Sequence, residues 1–291
     1  MINQYKRPDV FRCNYESHGK FENKVSVYHV LKKKKCWPTG CISFKWKCDL
    51  MNKGKRCVRG YKYMGKKCGG CSHYSDDKIH NQPRMMLNET EAQKFREDLA
   101  DFEDWLDDHL HKEELVLGTI KAVKPQFKRQ INYSQESLSV TGYTLAFEDG
   151  YIGMTSFEDV FFARISAQMQ TQQKFSVGDQ IEFRATLFLD EGRLVFRKMR
   201  QIDFVEKSKE QAYSTSELLI EKQTATRFKT QHYKCLNCRE GMLVDVEELK
   251  DGKIFKRREL ICLKGMPEPE LCIEPTLIAM ENSEECKGKM E

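Results

Sequence analysis

Between Glu114 and Glu206 the chain alternates apolar and polar residues in short runs. That period of two is the signature of strands with one buried face, and it restricts the fold more than any other feature. The runs read GTIKAVKP, YTLAFEDGYIGMTSF and FSVGDQIEFRATLFLDEGRLVFRKMRQIDFV. Asp149-Gly150, Gly178-Asp179 and Asp190-Glu191-Gly192 punctuate them as turns. Five strands are expected, at 115–123, 140–147, 151–157, 180–189 and 193–205. In the first, Val116, Gly118, Ile120 and Ala122 share one face. The polar stretch PQFKRQINYSQES is expected to be a long loop. Asp149-Gly150 is expected to form a tight hairpin. Phe161, Ile165 and Met169 recur at helical spacing, so a helix is expected between Phe157 and Gln172.

Five such strands, with a helix before the fourth and a Gly-Asp at its start, resemble an OB-fold barrel. The resemblance covers about a third of the chain. It implies a small Greek-key barrel that binds ligands on one strand face and its flanking loops. It brings no catalytic motif.

The chain has 291 residues and 12 cysteines. That length suits two or three modules rather than one core. The first thirty residues contain no apolar signal core and no apolar run could span a bilayer, so a cytoplasmic, membrane-free location is expected. Cysteines in such a setting point to metal rather than to disulfides. Seven of them lie in residues 1–87: Cys13, Cys36, Cys41, Cys48, Cys57, Cys68 and Cys71. His18, His29 and His73 are near enough in sequence to assist. Cys68-Gly-Gly-Cys71 is a tight turn that presents two sulfurs to one ion. Cys57 extends this pair to one partial set; Cys36, Cys41 and Cys48 form another. Zinc is the expected metal, and an iron–sulfur cluster is the alternative in this module.

The C-terminal segment repeats the theme. Tyr233-Lys-Cys235-Leu-Asn-Cys238-Arg-Glu-Gly241 reads as a zinc knuckle. Alternating stretches at 242–249 and 253–262 flank the turn Lys250-Asp251-Gly252. Cys262 and Cys272 complete a zinc ribbon, although they are spaced more widely than a usual second pair. Cys286 and His232 are spare ligands. The tail from Asn282 is expected to be poorly ordered.

Charge is unevenly distributed. Residues 1–87 hold twenty Lys/Arg against six Asp/Glu. Lys32, Lys33, Lys34 and Lys35 are consecutive, and Lys55, Arg56, Lys66 and Lys67 belong to a second cluster. Tyr5, Tyr15, Tyr28, Trp37, Phe44, Trp46, Tyr61 and Tyr63 are interleaved with them. Cations attract phosphates and aromatic faces stack on unpaired bases. The competing reading makes those aromatics the small core of a metal-stapled module. Residues 88–114 reverse the sign, with eleven acids against three bases. Ala92, Phe95, Leu99, Phe102, Leu106 and Leu110 form one apolar stripe there, so an amphipathic helix is expected to dock on the barrel or on the metal module. Its acids are read as a solvated face.

The chain therefore reads as mainly β with α. A basic Cys-rich zinc module (1–87) leads into an acidic helix (88–113), an OB-fold barrel (114–206), a connector (207–229), and a zinc ribbon with a tail (230–291). The function expected is single-stranded DNA or RNA binding, alone or with protein partners in a larger complex. On the barrel, Lys128, Arg129 and Tyr133 in the long loop and Arg184, Arg197 and Lys198 on the later strands are the expected contacts. A ribbon joined to an OB barrel also resembles acyl-CoA-binding accessory subunits of thiolases, which is the alternative function. No Walker loop, GxGxxG, HExxH or Gly-x-Ser-x-Gly motif is present, so an enzyme is the less favoured class.

Overall fold

The computed structural model describes residues 1–21, 23–133, 135–228, 235, 238, 240–250 and 252–272, with the backbone alone at 17, 20, 21, 66, 215 and 270. The chain is mainly β with a large mixed sheet. It divides into a smaller unit, Arg7–Glu89, and a larger one formed by Met1–Lys6 with Thr90–Glu291.

The smaller unit is built from short pieces. Strands β1 (Phe11–Arg12), β2 (Lys24–Val25) and β5 (Arg84–Met85) make a three-stranded sheet with β1 in the middle. Strands β3 (Cys41–Cys48) and β4 (Tyr74–Asn81) pair antiparallel as a separate ribbon. The short helix α1 (Asp49–Asn52) follows β3 directly. Val10, Phe11, Val25, Val27 and Val30 are buried, and the Phe11 and Trp37 rings meet at 5.3 Å. That is a small core for a segment of this length.

The larger unit opens with α2 (Glu89–His109). Strands β6 (Glu113–Asn132), β7 (Gln135–Ile152), β8 (Thr155–Phe157) and β9 (Phe161–Ile165) follow. After helix α3 (Ala167–Gln173) come β10 (Gln180–Asp190) and β11 (Arg193–Glu206). Strand β6 pairs with both β7 and β10, so the ladder closes on itself in the order β6-β7-β9-β11-β10-β6. Only the β9–β11 contact in this ring is parallel. Alternate residues fill its interior. Val116, Ile120, Phe147, Phe161, Phe183 and Phe196 are all buried, as the period of two requires. Phe147 stacks on Phe161 at 5.1 Å, and Phe196 meets Phe161 edge-on at 5.9 Å. Where β6 crosses β7 the backbones nearly touch. A Cβ on Gly150 would lie 2.3 Å from the Leu117 carbonyl oxygen, so that position admits only glycine. The Gly178-Asp179 turn is locked by a fully buried carboxylate, which accepts the Ser176 and Ser208 N–H groups and pairs with Lys207.

Helix α4 (Thr215–Thr224) begins at Ser214 with a capping box to Glu217. Strands β12 (Thr226–Arg227), β13 (Gly241–Lys250) and β14 (Lys253–Cys262) then continue the sheet. Strand β13 adds in parallel to the far half of β6, Asp245 opposite Lys128. Phe127, Met242, Val244, Val246, Ile261 and Leu263 form a second core at that seam.

Several sequence expectations are corrected. The stretch read as a long loop is strand, because β6 and β7 stay paired to Asn132 and Gln135. Its polar residues misled the reading; they face a neighbouring β13 rich in acids. Pro125 sits where β10 has left β6 and β13 has not yet joined, opposite Tyr143 of β7. Asp149-Gly150 lies inside β7 rather than forming the hairpin, and the chain turns after Ile152. The expected helix at 157–172 divides. Phe161, Ala163 and Ile165 alternate as buried strand residues, and only Ala167–Gln173 is helical. Spacing by four fits both periods, and ring closure selects the strand. Helix α2 packs within the larger unit: Trp105, absent from the expected stripe, meets Phe157 at 5.8 Å and donates its indole N–H to Thr155. Tyr5 from the first residues packs on Phe102. Among the described residues no helix is long and apolar enough to cross a membrane.

Candidate nucleic-acid interface and cysteine sites

The β3–β4 ribbon presents its apolar side chains outward. Ile42, Phe44 and Trp46 occupy alternate positions of β3, hence one face, and are 51%, 54% and 37% exposed. Lys78 lies opposite Phe44, and Lys45 and Lys47 alternate with the stripe. Tyr61 and Tyr63 are exposed as well, whereas Tyr5 is buried. Lys32, Lys33, Lys34 and Lys35 are all exposed around the π-helical turn His29–Lys33, as are Lys55, Arg56 and Lys67. The Lys66 side chain lies outside the described residues.

Strand β3 also sorts the cysteines. Cys41 and Cys48 stand at its two ends, roughly 23 Å apart at the rise of an extended strand. The expected set Cys36, Cys41 and Cys48 therefore cannot share one ion. Burial, then the sulfurs of Cys41 and Cys13, push the Cys36 thiol above its ordinary value. At the other end Cys48 faces Tyr74, whose N–H donates to the Cys71 carbonyl, while the Cys71 N–H donates to Cys68. Arg59 donates to the Lys67 and Gly70 carbonyls and so draws the Cys57 segment onto this turn. Of the histidines, His18 and His29 meet edge-on at 5.1 Å.

In the larger unit, the Cys235–Cys238 turn closes tightly on β13. A Cβ on Gly241 would fall 1.7 Å from the Cys235 carbonyl oxygen, so the turn requires glycine there. The Glu240 N–H points at the Cys238 sulfur at 3.4 Å. Burial raises the Cys262 thiol, the Met266 and Lys264 N–H groups oppose that, and Cys238 and Cys272 add to it. The remaining cysteine, Cys235, packs against Phe228, Leu260 and Cys262. Lys124 spans the turn, donating to the Cys238 and Gly241 carbonyls at 2.6 and 2.9 Å, and burial lowers its ammonium to about 8. His232 and Cys286, and the tail from Asn282, lie outside the described residues. Among the described residues no cysteine is bonded in a disulfide, and no three His, Cys, Asp or Glu side chains stand in a geometry that could hold a metal ion.

The barrel contacts expected from sequence are dispersed. Lys128 pairs with Glu247 at 2.8 Å and holds that carboxyl below its usual range. Arg129, only 13% exposed, pairs with Glu259 and Glu136. Both stitch β6 to its neighbours rather than lining a loop. Tyr133 stands alone at the hairpin tip, 79% exposed with φ +53°. Arg184 and Lys198 are exposed, and Arg197 lies over the Phe188 ring at 4.8 Å.

A different basic group was not legible. Lys124, Arg164, Arg193 and Arg258 line one cleft on the outer side of the ring. They come from β6, β9, β11 and β14, so no local run of charge announces them. No protein-family model matches the chain, and no curated protein matches it.

Proposed function

We propose that this chain is a zinc-stabilised protein that binds single-stranded DNA or RNA. The observation that carries the reading is the exposed Ile42, Phe44 and Trp46 stripe within a strongly basic unit. An exposed aromatic face costs stability in water, and unstacked bases are partners that use both the rings and the surrounding cations. The closed strand order, with one parallel contact and a helix before β10, supports reading the ring as an OB-type barrel. Zinc is the metal proposed for the cysteines of the smaller unit, Cys13, Cys36, Cys41, Cys48, Cys57, Cys68 and Cys71, and for Cys235, Cys238, Cys262 and Cys272 as a ribbon site, on their number and spacing in the sequence. An iron–sulfur cluster remains the alternative for the smaller unit.

The test is binding of a fluorescent oligonucleotide across a salt series. Wild type should lose affinity steeply with salt, about one log–log unit per phosphate neutralised. Reversing Lys32–Lys35 should flatten that slope. Phe44→Ala with Trp46→Ala should weaken binding by about 1–3 kcal/mol per lost stack while leaving the slope unchanged. Undetectable binding at low salt would reassign the stripe to a protein partner.

A further inference from the structure

The face of the β3–β4 ribbon that carries Ile42, Phe44 and Trp46 has a second column of side chains. Residues directly opposite one another in an antiparallel pair share a face, with Cβ atoms about 4.5–5.5 Å apart. His80 therefore stands beside Ile42, Lys78 beside Phe44, and Asp76 beside Trp46. All three are exposed. His80 is already engaged, since its Nε2 donates to the Thr39 carbonyl at 2.9 Å. Among the described residues Lys78 and Asp76 have no salt-bridge partner, and the Phe44 and Trp46 rings meet no other ring or cation.

A carboxylate on this face works against phosphate binding. Residues 1–87 hold only six acids. Asp9 is paired with Arg7, and Asp77, on the other face of β4, with Lys47. Among the described residues Asp76 is met by the Tyr74 hydroxyl alone, two residues along the same face. A carboxylate has about four acceptor positions, so one hydroxyl leaves most of them open.

Phe44 and Trp46 are two residues apart on an extended strand, roughly 7 Å. Stacked bases rise about 3.4 Å. Neighbouring bases must therefore separate to lie one on each ring, which a single strand does readily and a duplex does not. A base on Phe44 has the Lys78 ammonium at its edge, which suits a phosphate. A base on Trp46 has Asp76 at its edge. Carboxylate oxygens only accept hydrogen bonds. Guanine alone offers two adjacent N–H donors, at N1 and N2, along its pairing edge. Adenine, cytosine, thymine and uracil each place an acceptor beside the donor, and a carboxylate repels it.

We propose that Trp46 and Asp76 form a guanine-selective subsite: the base stacks on Trp46 and donates its N1–H and N2–H to Asp76. The subsite rests on the strand-binding reading and adds a base preference to it. DNA and RNA offer the same guanine chemistry.

The experiment is fluorescence anisotropy of the full chain at low salt with short thymidine strands, plain or carrying one guanine, and with matching uridine strands. A single guanine prevents association between guanine-rich strands. The guanine strand should bind about tenfold tighter, the discrimination of one good bidentate pair. Inosine lacks the N2 amino group and should keep only about a threefold advantage. Asp76→Asn should erase the preference while the plain strand binds equally well or more tightly, because a negative charge has gone; a misfolded ribbon would lose both. Asp77→Asn, on the opposite face, should keep the preference. Should Asp76→Asn fail to fold, the inosine step in the wild type decides. A guanine preference in either series supports the subsite, and the tighter series identifies DNA or RNA as the source. Equal binding of plain, inosine and guanine strands, or a preference that survives Asp76→Asn, would overturn the proposal and leave strand binding intact. Failure of every strand to bind would overturn both.

Discussion

The ring of the larger unit and the ribbon of the smaller one are both antiparallel for most of their length, yet they are stabilised differently. In the ring, strand after strand delivers alternate side chains to a closed interior, and Phe147, Phe161, Phe183 and Phe196 lose all contact with water. In the β3–β4 ribbon the alternate residues Ile42, Phe44 and Trp46 remain exposed. Two strands have no second layer to cover their apolar face, and isolated hairpins are marginal in water. The lesson is that alternation marks a strand but does not say what its apolar face meets. In the ring that face meets the rest of the same sheet. In the ribbon it is available to a partner.

Metal removal breaks this comparison most sharply. A chelator should abolish protection from hydrogen exchange throughout Arg7–Glu89, because bound zinc contributes on the order of 10 kcal/mol to small domains of this kind. The ring should keep its protection. Equal loss in both, or loss in neither, would show that cysteines do not distinguish the two regions.

The reverse experiment removes core from the ring. Phe161→Ala should lower the stability of the larger unit by about 3–5 kcal/mol, measured by denaturant unfolding, since the cavity lies among stacked rings that cannot collapse into it. Protection within Arg7–Glu89 should be unchanged. Simultaneous weakening of both would join the two units into one cooperative body.

A smaller effect is expected from pH. Burial raises the Glu221 carboxyl above its ordinary value, although its hydrogen bond from Tyr213 works the other way. Above the ordinary carboxylate value and up to the raised one, the folded chain keeps a proton that the unfolded chain has released. Stability therefore falls as pH climbs through that window, and the cost persists at neutral pH. Glu221→Gln should remove this dependence and raise neutral-pH stability of the larger unit by about 1 kcal/mol or less, given partial screening by solvent. An unchanged profile between pH 4 and 7 would mean that Glu221 is solvated in solution, and would leave the ring as the sole determinant of that unit's stability.

Much of this architecture was legible because it is written in local patterns. The strands β10 and β11 follow from alternation bounded by glycine turns, and the β13–β14 hairpin from the turn at Lys250. Helix α2 follows from an apolar stripe, although Trp105 escaped notice because it sits beside that stripe rather than on it. The 125–137 stretch was misread because Lys128 and Arg129 look solvated until their partners Glu247 and Glu259 are brought alongside. Those partners are over a hundred residues away, and no window of sequence contains both.

The sequence by itself determined the charge separation and the period-two core, because each depends on residues close together in the chain. Tertiary structure alone decided that Cys41 and Cys48, near in sequence, stand at opposite ends of a strand. It also decided that Arg164, Arg193 and Arg258 meet at Asp190. Ladder pairing places residues by register, and register is set by closure of the whole ring.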